Sequence, residues 1–337
     1  MTAARQGWIL FFLLVGAVFA LVILPLVGMQ MTPLQAILHP AASGTEGDIF
    51  WRLRIPRVLA AWFAGAGLAA AGMAFQALFR NSLATPFTLG VASGAALGAA
   101  LSIRFGMALT VAGISSTPLW AFGGASVSML LVYGITRGIT GGRKGAIRGM
   151  STATMLLAGV AVSFFFSSLN LFTQYISDFT HTFRIIRWLM GGVQVTGYRS
   201  ILEMLPLVLG GLVITLWLTR ELDILTTGEE MAAGRGVDVI RTRNLLFFSA
   251  SLMVGGVVAV CGPIGFVGLM IPHICRLLVG PGHRYLAPAS ILAGGTFLTV
   301  CDTFARTIIA PAEIPVGVIT ALLGGPFFLI LLIRDQR

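Results

Sequence analysis

Few side chains in this sequence could do covalent or acid–base chemistry. Its 337 residues hold 12 acidic residues, four histidines and three cysteines. His39, His181, His273 and His283 make no HxxxH or HExxH pattern, so spacing supplies neither a metal site nor a pair of haem ligands. Cys261, Cys275 and Cys301 lie inside apolar stretches with no CxxC, the setting of packing cysteines. No nucleophile, base and orienter can be assembled, so neither a catalytic residue nor a metal ligand is assigned. A GxxxxGK[ST] phosphate loop is missing as well. The nearest string, GGRKG at 141–145, lacks the spacing and the Ser/Thr that would hold Mg²⁺. Arginine is what remains, as 21 of the 22 basic residues, with Lys144 the one lysine. Its planar fork grips carboxylates and phosphates, which is recognition chemistry rather than catalysis. No cofactor is expected on the chain.

The elements that must position these arginines are set by composition. Hydrophobic residues make up 57% of the chain, charged residues 10%, and the mean hydropathy is +0.93. A soluble domain carries roughly 25% charge, and single aqueous cores stop growing near ~250–300 residues. Lipid must therefore be the solvent for most of the chain. This excludes a soluble enzyme, a disordered regulator and a secreted disulfide scaffold. The net charge of +10 does not point to nucleic acid, because the basic residues fall singly or in pairs between apolar runs. That distribution suits membrane flanks and an anionic leaflet.

Ten apolar runs are expected to span the bilayer. The first, Trp8 to Gly28, is about 31 Å long as a helix. It exceeds a signal-peptide core and no small-x-small cleavage site follows it, so it reads as a retained span. The others lie at 58–79, 87–103, 118–136, 150–172, 200–219, 243–262, 264–280, 286–309 and 314–333. The run at 264–280 carries Pro272, His273 and Arg276, and should face protein or a watery cavity. An even number of spans puts both termini on one side. That side holds fourteen basic residues against eight opposite, which makes it cytoplasmic by the positive-inside rule. Gly90, Gly94 and Gly98 form a GxxxGxxxG ridge, and Gly-Gly pairs at 123–124, 210–211, 255–256, 294–295 and 324–325 repeat the theme of close helix packing. The fold class is an all-α polytopic membrane protein, one transmembrane domain over 1–337. An ion-coupled secondary transporter is the competing reading. It is disfavoured because Glu203, Asp302 and Glu313 sit near span ends and eight of the ten runs contain no acidic residue.

One polar segment interrupts the apolar pattern, at about 220–242 after the sixth span. Thr226 or Thr227 is placed to cap a short helix with Glu229 and Glu230 in its first turn. Met231, Ala232 and Ala233 supply a small apolar patch, and Gly234 and Gly236 stop the helix. Such a helix on the cytoplasmic face could dock a soluble partner.

This segment, GEEMAAGRGV at 228–237, resembles the ATPase-coupling helix of FecCD-type permeases, the membrane subunits of ABC importers for ferric siderophores, haem and cobalamin. Four further blocks are similar in order and spacing: 54–99 from RIPRV to GAALGA, RWLMGG at 187–192, GPIGFVGLMIPHICRLLVGPGHR at 262–284 and PAEIPVGVITALLGGPFFLILL at 311–332. The resemblance implies a type II ABC importer permease of about ten helices that forms a homodimer in a bacterial cytoplasmic (inner) membrane. Two copies of a separate ABC ATPase, carrying the ATP and Mg²⁺, would bind below, and a periplasmic or lipid-anchored substrate-binding protein would dock outside. The implied cargo is an iron chelate, either ferric siderophore or haem, with cobalamin the alternative.

By the same resemblance, Gly228, Glu229, Glu230, Met231, Ala232 and Gly234 are the ATPase-coupling residues. Arg54, Arg57 and Arg306 are implied to pair with glutamates of the binding protein, although Asp302 could satisfy Arg306 within its helix at i,i+4. Asn81 and Leu83 in the RNSLATP link, with Ser151 and Thr152 opening the fifth span, match elements of a cytoplasmic gate. Ser82 and Thr85 depart from the Pro and acidic residue usual in that link. His181 reads as a solvated loop residue.

Overall fold

The computed structural model describes residues 3–28, 44–106, 116–141 and 152–335. Among these the chain is helical and no strand occurs. In chain order the helices are α1 (Ala3–Ile23), α2 (Thr45–Asp48), α3 (Ile55–Phe79), α4 (Val91–Arg104), α5 (Ser116–Gly141), α6 (Thr152–Tyr175) and α7 (Phe179–Leu189). There follow α8 (Arg199–Trp217), α9 (Thr219–Thr226), α10 (Glu229–Gly234), α11 (Val239–Cys261), α12 (Val267–Val279), α13 (His283–Thr307) and α14 (Val316–Asp335). A π-helical turn, Ile49–Arg54, leads into α3, and a 3₁₀ turn, Pro86–Leu89, leads into α4.

Each of the ten apolar runs corresponds to one helix. Seven helical stretches are long and apolar enough to cross a bilayer, and three shorter apolar helices, Val91–Arg104, Val267–Val279 and Val316–Leu331, complete the ten. The 14 residues of α4 and the 13 of α12 reach only about 20 Å, less than a ~30 Å hydrocarbon core. Each is preceded by irregular backbone. Before α12 the chain turns through Gly262 and Phe266, both at φ +67°.

Helix α3 is the centre of the bundle. It is buried without interruption from Ala64 to Phe79 and packs against α8, α11, α12 and α13. Its alanines and glycines make this possible, because helices in lipid associate through close backbone approach. A Cβ on Gly72 would overlap the carbonyl of Gly268 on α12, and one on Gly65 would overlap that of Gly294 on α13. The glycine ridge behaves likewise: Gly94 meets Gly124 and Gly98 meets the carbonyl of Trp120, both on α5. Gly72→Ala should therefore destabilise by at least about 1–3 kcal/mol, since rigid backbone must shift. Thermal unfolding of the detergent-solubilised protein reads this directly, with Gly210→Ala, where a Cβ has open space, unchanged.

Among the described residues three short helices, α2, α7 and α9, were not foreseen. Helix α7 is capped by Asp178, whose carboxylate accepts from the His181 backbone N–H at 2.9 Å and faces the His181 ring at 2.7 Å. The backbone bond from His181, then its ring, hold the exposed Asp178 carboxyl below the usual carboxylate range. His181 is thus part of a helix cap and not a free loop residue. Helix α9 is taken up with the site below. His39 lies outside the described residues.

Candidate functional site

Charged groups collect at the two ends of the bundle. At the end where α1 stops, Arg57 on the first turn of α3 reaches across to α13. Its Nε donates to Asp302 Oδ2 at 2.9 Å and its Nη2 to Oδ1 at 3.0 Å. Its Nη1 contacts both Glu313 oxygens at 2.9 Å. The Arg57 side chain is only 15% exposed and that of Asp302 2%, whereas Glu313 is 41% exposed. Asp302 therefore pairs with Arg57 and not with Arg306 one turn along, because the α3–α13 contact brings a second arginine to its face. Arg306, 8% exposed, donates instead to Leu24 O at 2.8 Å and to the Thr303 hydroxyl at 3.3 Å. Arg54 donates to Leu26 O at 3.3 Å. Leu24 and Leu26 form the 3₁₀ turn that follows α1, so the two arginines tie that turn to the start of α3 and to α13 by donating to its carbonyls. All three candidate docking arginines thus have partners inside the chain.

At the opposite end α9 and α10 lie across the bundle. Leu222, Leu225 and Ala232 are buried and anchor them. Gly228 joins the two helices at φ +124°, a conformation open to glycine, and occupies the N-cap of α10 with no side-chain cap. The expected threonine cap does not form: the Thr226 and Thr227 hydroxyls turn back to Asp223 O and Ile224 O, both at 2.7 Å. Gly236, at φ +81°, ends α10 as anticipated, with Val237 N donating to Ala232 O at 3.1 Å.

The two glutamates of α10 have different surroundings. Glu229 turns inward, where Oε1 accepts from the buried Arg243 of α11 and lies 3.8 Å from Arg80. Glu230 is exposed, as are Met231, Ala233 and Gly234. A second tie fixes α9: Asp223 accepts from the His283 backbone N–H at 2.8 Å and faces its ring at 2.6 Å, capping α13. Burial alone would raise the Asp223 carboxyl, but the bonds from His283 outweigh it and hold it below the usual range.

Next to this segment, Arg80 closes α3 in the left-handed conformation, φ +48°. Asn81 follows, and its Oδ1 accepts from Leu83 N at 2.9 Å, so the tight RNSLATP link is an Asx turn. Asn81, Ser82 and Leu83 are exposed. Ser151 lies outside the described residues, and Thr152 begins α6.

Three of the sequence blocks meet at one place. Gly192 N donates to Cys261 O at 2.7 Å and Gly317 N to Gly191 O at 3.1 Å. A Cβ on Gly191 would overlap the Pro263 carbonyl, and one on Gly317 would overlap that of Met190. The glycines of RWLMGG, GPIGF and PVG are thus a single backbone junction between α7, α12 and α14.

The description "FecCD transport family" matches residues 4–334. The chain belongs to the FecCD transport family. It is an ABC importer permease and a multi-pass membrane protein. It is 41% identical to the cobalamin import system permease protein BtuC of Halobacterium salinarum over 87% of this chain and 75% of that one. It is 35% identical to the hemin transport system permease protein HmuU of Yersinia pestis, with 94% of both chains covered. Among solved structures it resembles an inward-facing metal-chelate-type ABC transporter, with TM-score 0.84, 32% identity, and 97% of this chain and 99% of that one covered.

Sequence reading of this FecCD permease did not foresee which groups these residues pair with. Glu313, Arg243 and Asp223 were not singled out as partners, nor was the Gln76–Arg276 bond at 3.0 Å. The available signal was opposite charge at matching depth: Arg57 with Asp302 and Glu313 at one end, Glu229 with Arg243 at the other.

Proposed function

We propose that this permease forms a homodimer in the cytoplasmic (inner) membrane of a bacterium, with both termini cytoplasmic, and imports an iron chelate along the dimer axis. Two copies of a separate ATPase bind at α9–α10, and a substrate-binding protein docks at the other end. The observation that carries this reading is the build of α10. Its inner face is tied down through Glu229 while Glu230, Met231 and Ala233 point outward from an anchored base. That is the shape of a knob made to be pushed.

The ion pairs indicate how the push travels. Glu229 lies beside Arg80, and Arg80 precedes Asn81 in the exposed turn. Movement of α10 on ATP binding would therefore bear on the Asn81–Leu83 turn, which with Ser151 and Thr152 forms the cytoplasmic gate. At the other end Arg57 keeps the buried Asp302 and exchanges the half-exposed Glu313 for a carboxylate of the binding protein. Arg54 and Arg306 complete that surface by holding the turn after α1 in place.

Iron chelate is favoured for the cargo because the haem permease and the metal-chelate transporter match nearly the whole chain. Cobalamin is the second reading, favoured by the identity to the archaeal cobalamin permease. Uptake of labelled haem, ferric siderophores and cobalamin in a deletion strain and its complemented parent separates them. Loss of haem or siderophore uptake, restored by the gene, is the expected result. Loss of cobalamin uptake alone would overturn the cargo assignment and leave the import reading standing.

A further inference from the structure

Two clefts on the surface of the bundle adjoin each other and have opposite character. The first, about 370 Å³, opens between α9 and the start of α11 and is lined by Trp217, Arg220, Glu221, Arg235, Asp238 and Arg241. The second, about 170 Å³, lies between α5, α8 and α11 and is lined mainly by apolar groups, among them Phe122, Met129, Ile214 and Phe248. Leu245 lines both.

Helical spacing makes the two one groove. Arg241, Leu245, Phe248, Leu252 and Gly255 recur every three or four residues, so they form a single stripe along α11. From Leu245 to Gly255 this stripe descends about 15 Å. Trp217 is 68% exposed at the end of the α8 span, where an indole marks the boundary between hydrocarbon and headgroups. The basic cleft thus sits at headgroup level and the apolar cleft below it, within the hydrocarbon.

The charges at the mouth favour an anion. Three arginines face two carboxylates, and one of the two, Asp238, already accepts from Arg241 N at 3.0 Å as the cap of α11. Arg220, Arg235 and Arg241 are exposed, and among the described residues none makes a salt bridge. An anionic group with an apolar tail fits both halves; a free anion would leave the lower cleft unfilled, and a neutral lipid would leave the arginines unmet.

We propose that this groove is a binding site for an anionic phospholipid of the adjoining leaflet, its phosphate on Arg220, Arg235 and Arg241 and one acyl chain beside Leu245 and Phe248. The lipid would bridge α9 to α8 and α11, and so brace the segment that carries α10.

Native mass spectrometry of the delipidated full-length permease, titrated with phosphatidylglycerol or phosphatidylcholine of matched chains, tests this. Wild type should retain phosphatidylglycerol about tenfold or more over phosphatidylcholine. The double variant Arg220→Ala/Arg241→Ala, both exposed and outside any ion pair, should lose that preference. Leu245→Trp, which fills the junction, should weaken both lipids, while Arg5→Ala at a remote exposed arginine should change nothing. Equal retention of the two lipids by wild type, or an equal loss in Arg5→Ala, would overturn the site. Displacement of phosphatidylglycerol by millimolar inorganic phosphate, with Leu245→Trp silent, would assign the arginines to a free anion instead.

Discussion

Arg57→Ala is expected to destabilise the permease by roughly 3–5 kcal/mol, the largest effect of any single charge removal. The reason is not the attraction lost but the charge left behind. Asp302 is 2% exposed and accepts from both Nε and Nη2 of Arg57, so truncation strands a buried carboxylate. Unfolding of the detergent-solubilised protein should show the loss, and Arg57→Ala/Asp302→Ala should recover most of it, because the orphaned charge is removed as well. Glu313→Ala should cost far less, since its carboxylate is already half in water. The same series separates fold from docking. If Arg57 also receives a carboxylate from the binding protein, Glu313→Ala frees that position and should tighten docking while leaving stability nearly unchanged. A double variant no more stable than Arg57→Ala would show that Asp302 is not the source of the penalty.

Charge reversal on α10 is expected to split its two glutamates. Glu230→Lys should leave stability within about 0.5 kcal/mol of wild type, as an exposed substitution does. It should nevertheless abolish ATP-driven uptake in proteoliposomes if the outward face meets the ATPase. Glu229→Lys should fail earlier. It places a third cation beside Arg243, which is 3% exposed, and beside Arg80, and should cost about 3 kcal/mol in stability before any question of partner contact arises. Reversing both residues together should therefore disturb the fold, contrary to what their shared place in the first turn of α10 suggests. Wild-type uptake by Glu230→Lys would remove α10 as the coupling surface. Full stability of Glu229→Lys would remove the Glu229–Arg243 pair as its anchor.

Much of this was legible from one-dimensional pattern. The ten apolar runs mark ten helices because lipid leaves the backbone no alternative but to satisfy its own hydrogen bonds. The short helix at 229–234 was legible because paired acids before an apolar triplet and a closing glycine make a local signal. Its capping was misread because Gly228, at positive φ, directs the chain so that the threonine hydroxyls find carbonyls one turn back. Helix α7 was missed because its amphipathic pattern buries only Ile185 and sits within a polar-looking loop.

The sequence by itself determined that the chain lives in lipid, how many times it crosses, which polar segment breaks the pattern and which arginines stand at the ends. Each of these follows from composition or from spacing along the chain. Only the tertiary structure decided what those residues touch. Asp302 pairs with Arg57 and not with Arg306 of its own helix because α3 and α13 approach through Gly65 and Gly294. Glu229 became an anchor and Glu230 an exposed contact because Arg80 and Arg243 arrive from opposite directions in sequence at one face of α10. The glycines at 191, 262 and 317 found their use in a junction of three distant segments. Partner choice of this kind depends on which helices are neighbours, and neighbourhood among apolar helices is set by shape, which no local pattern in the sequence encodes.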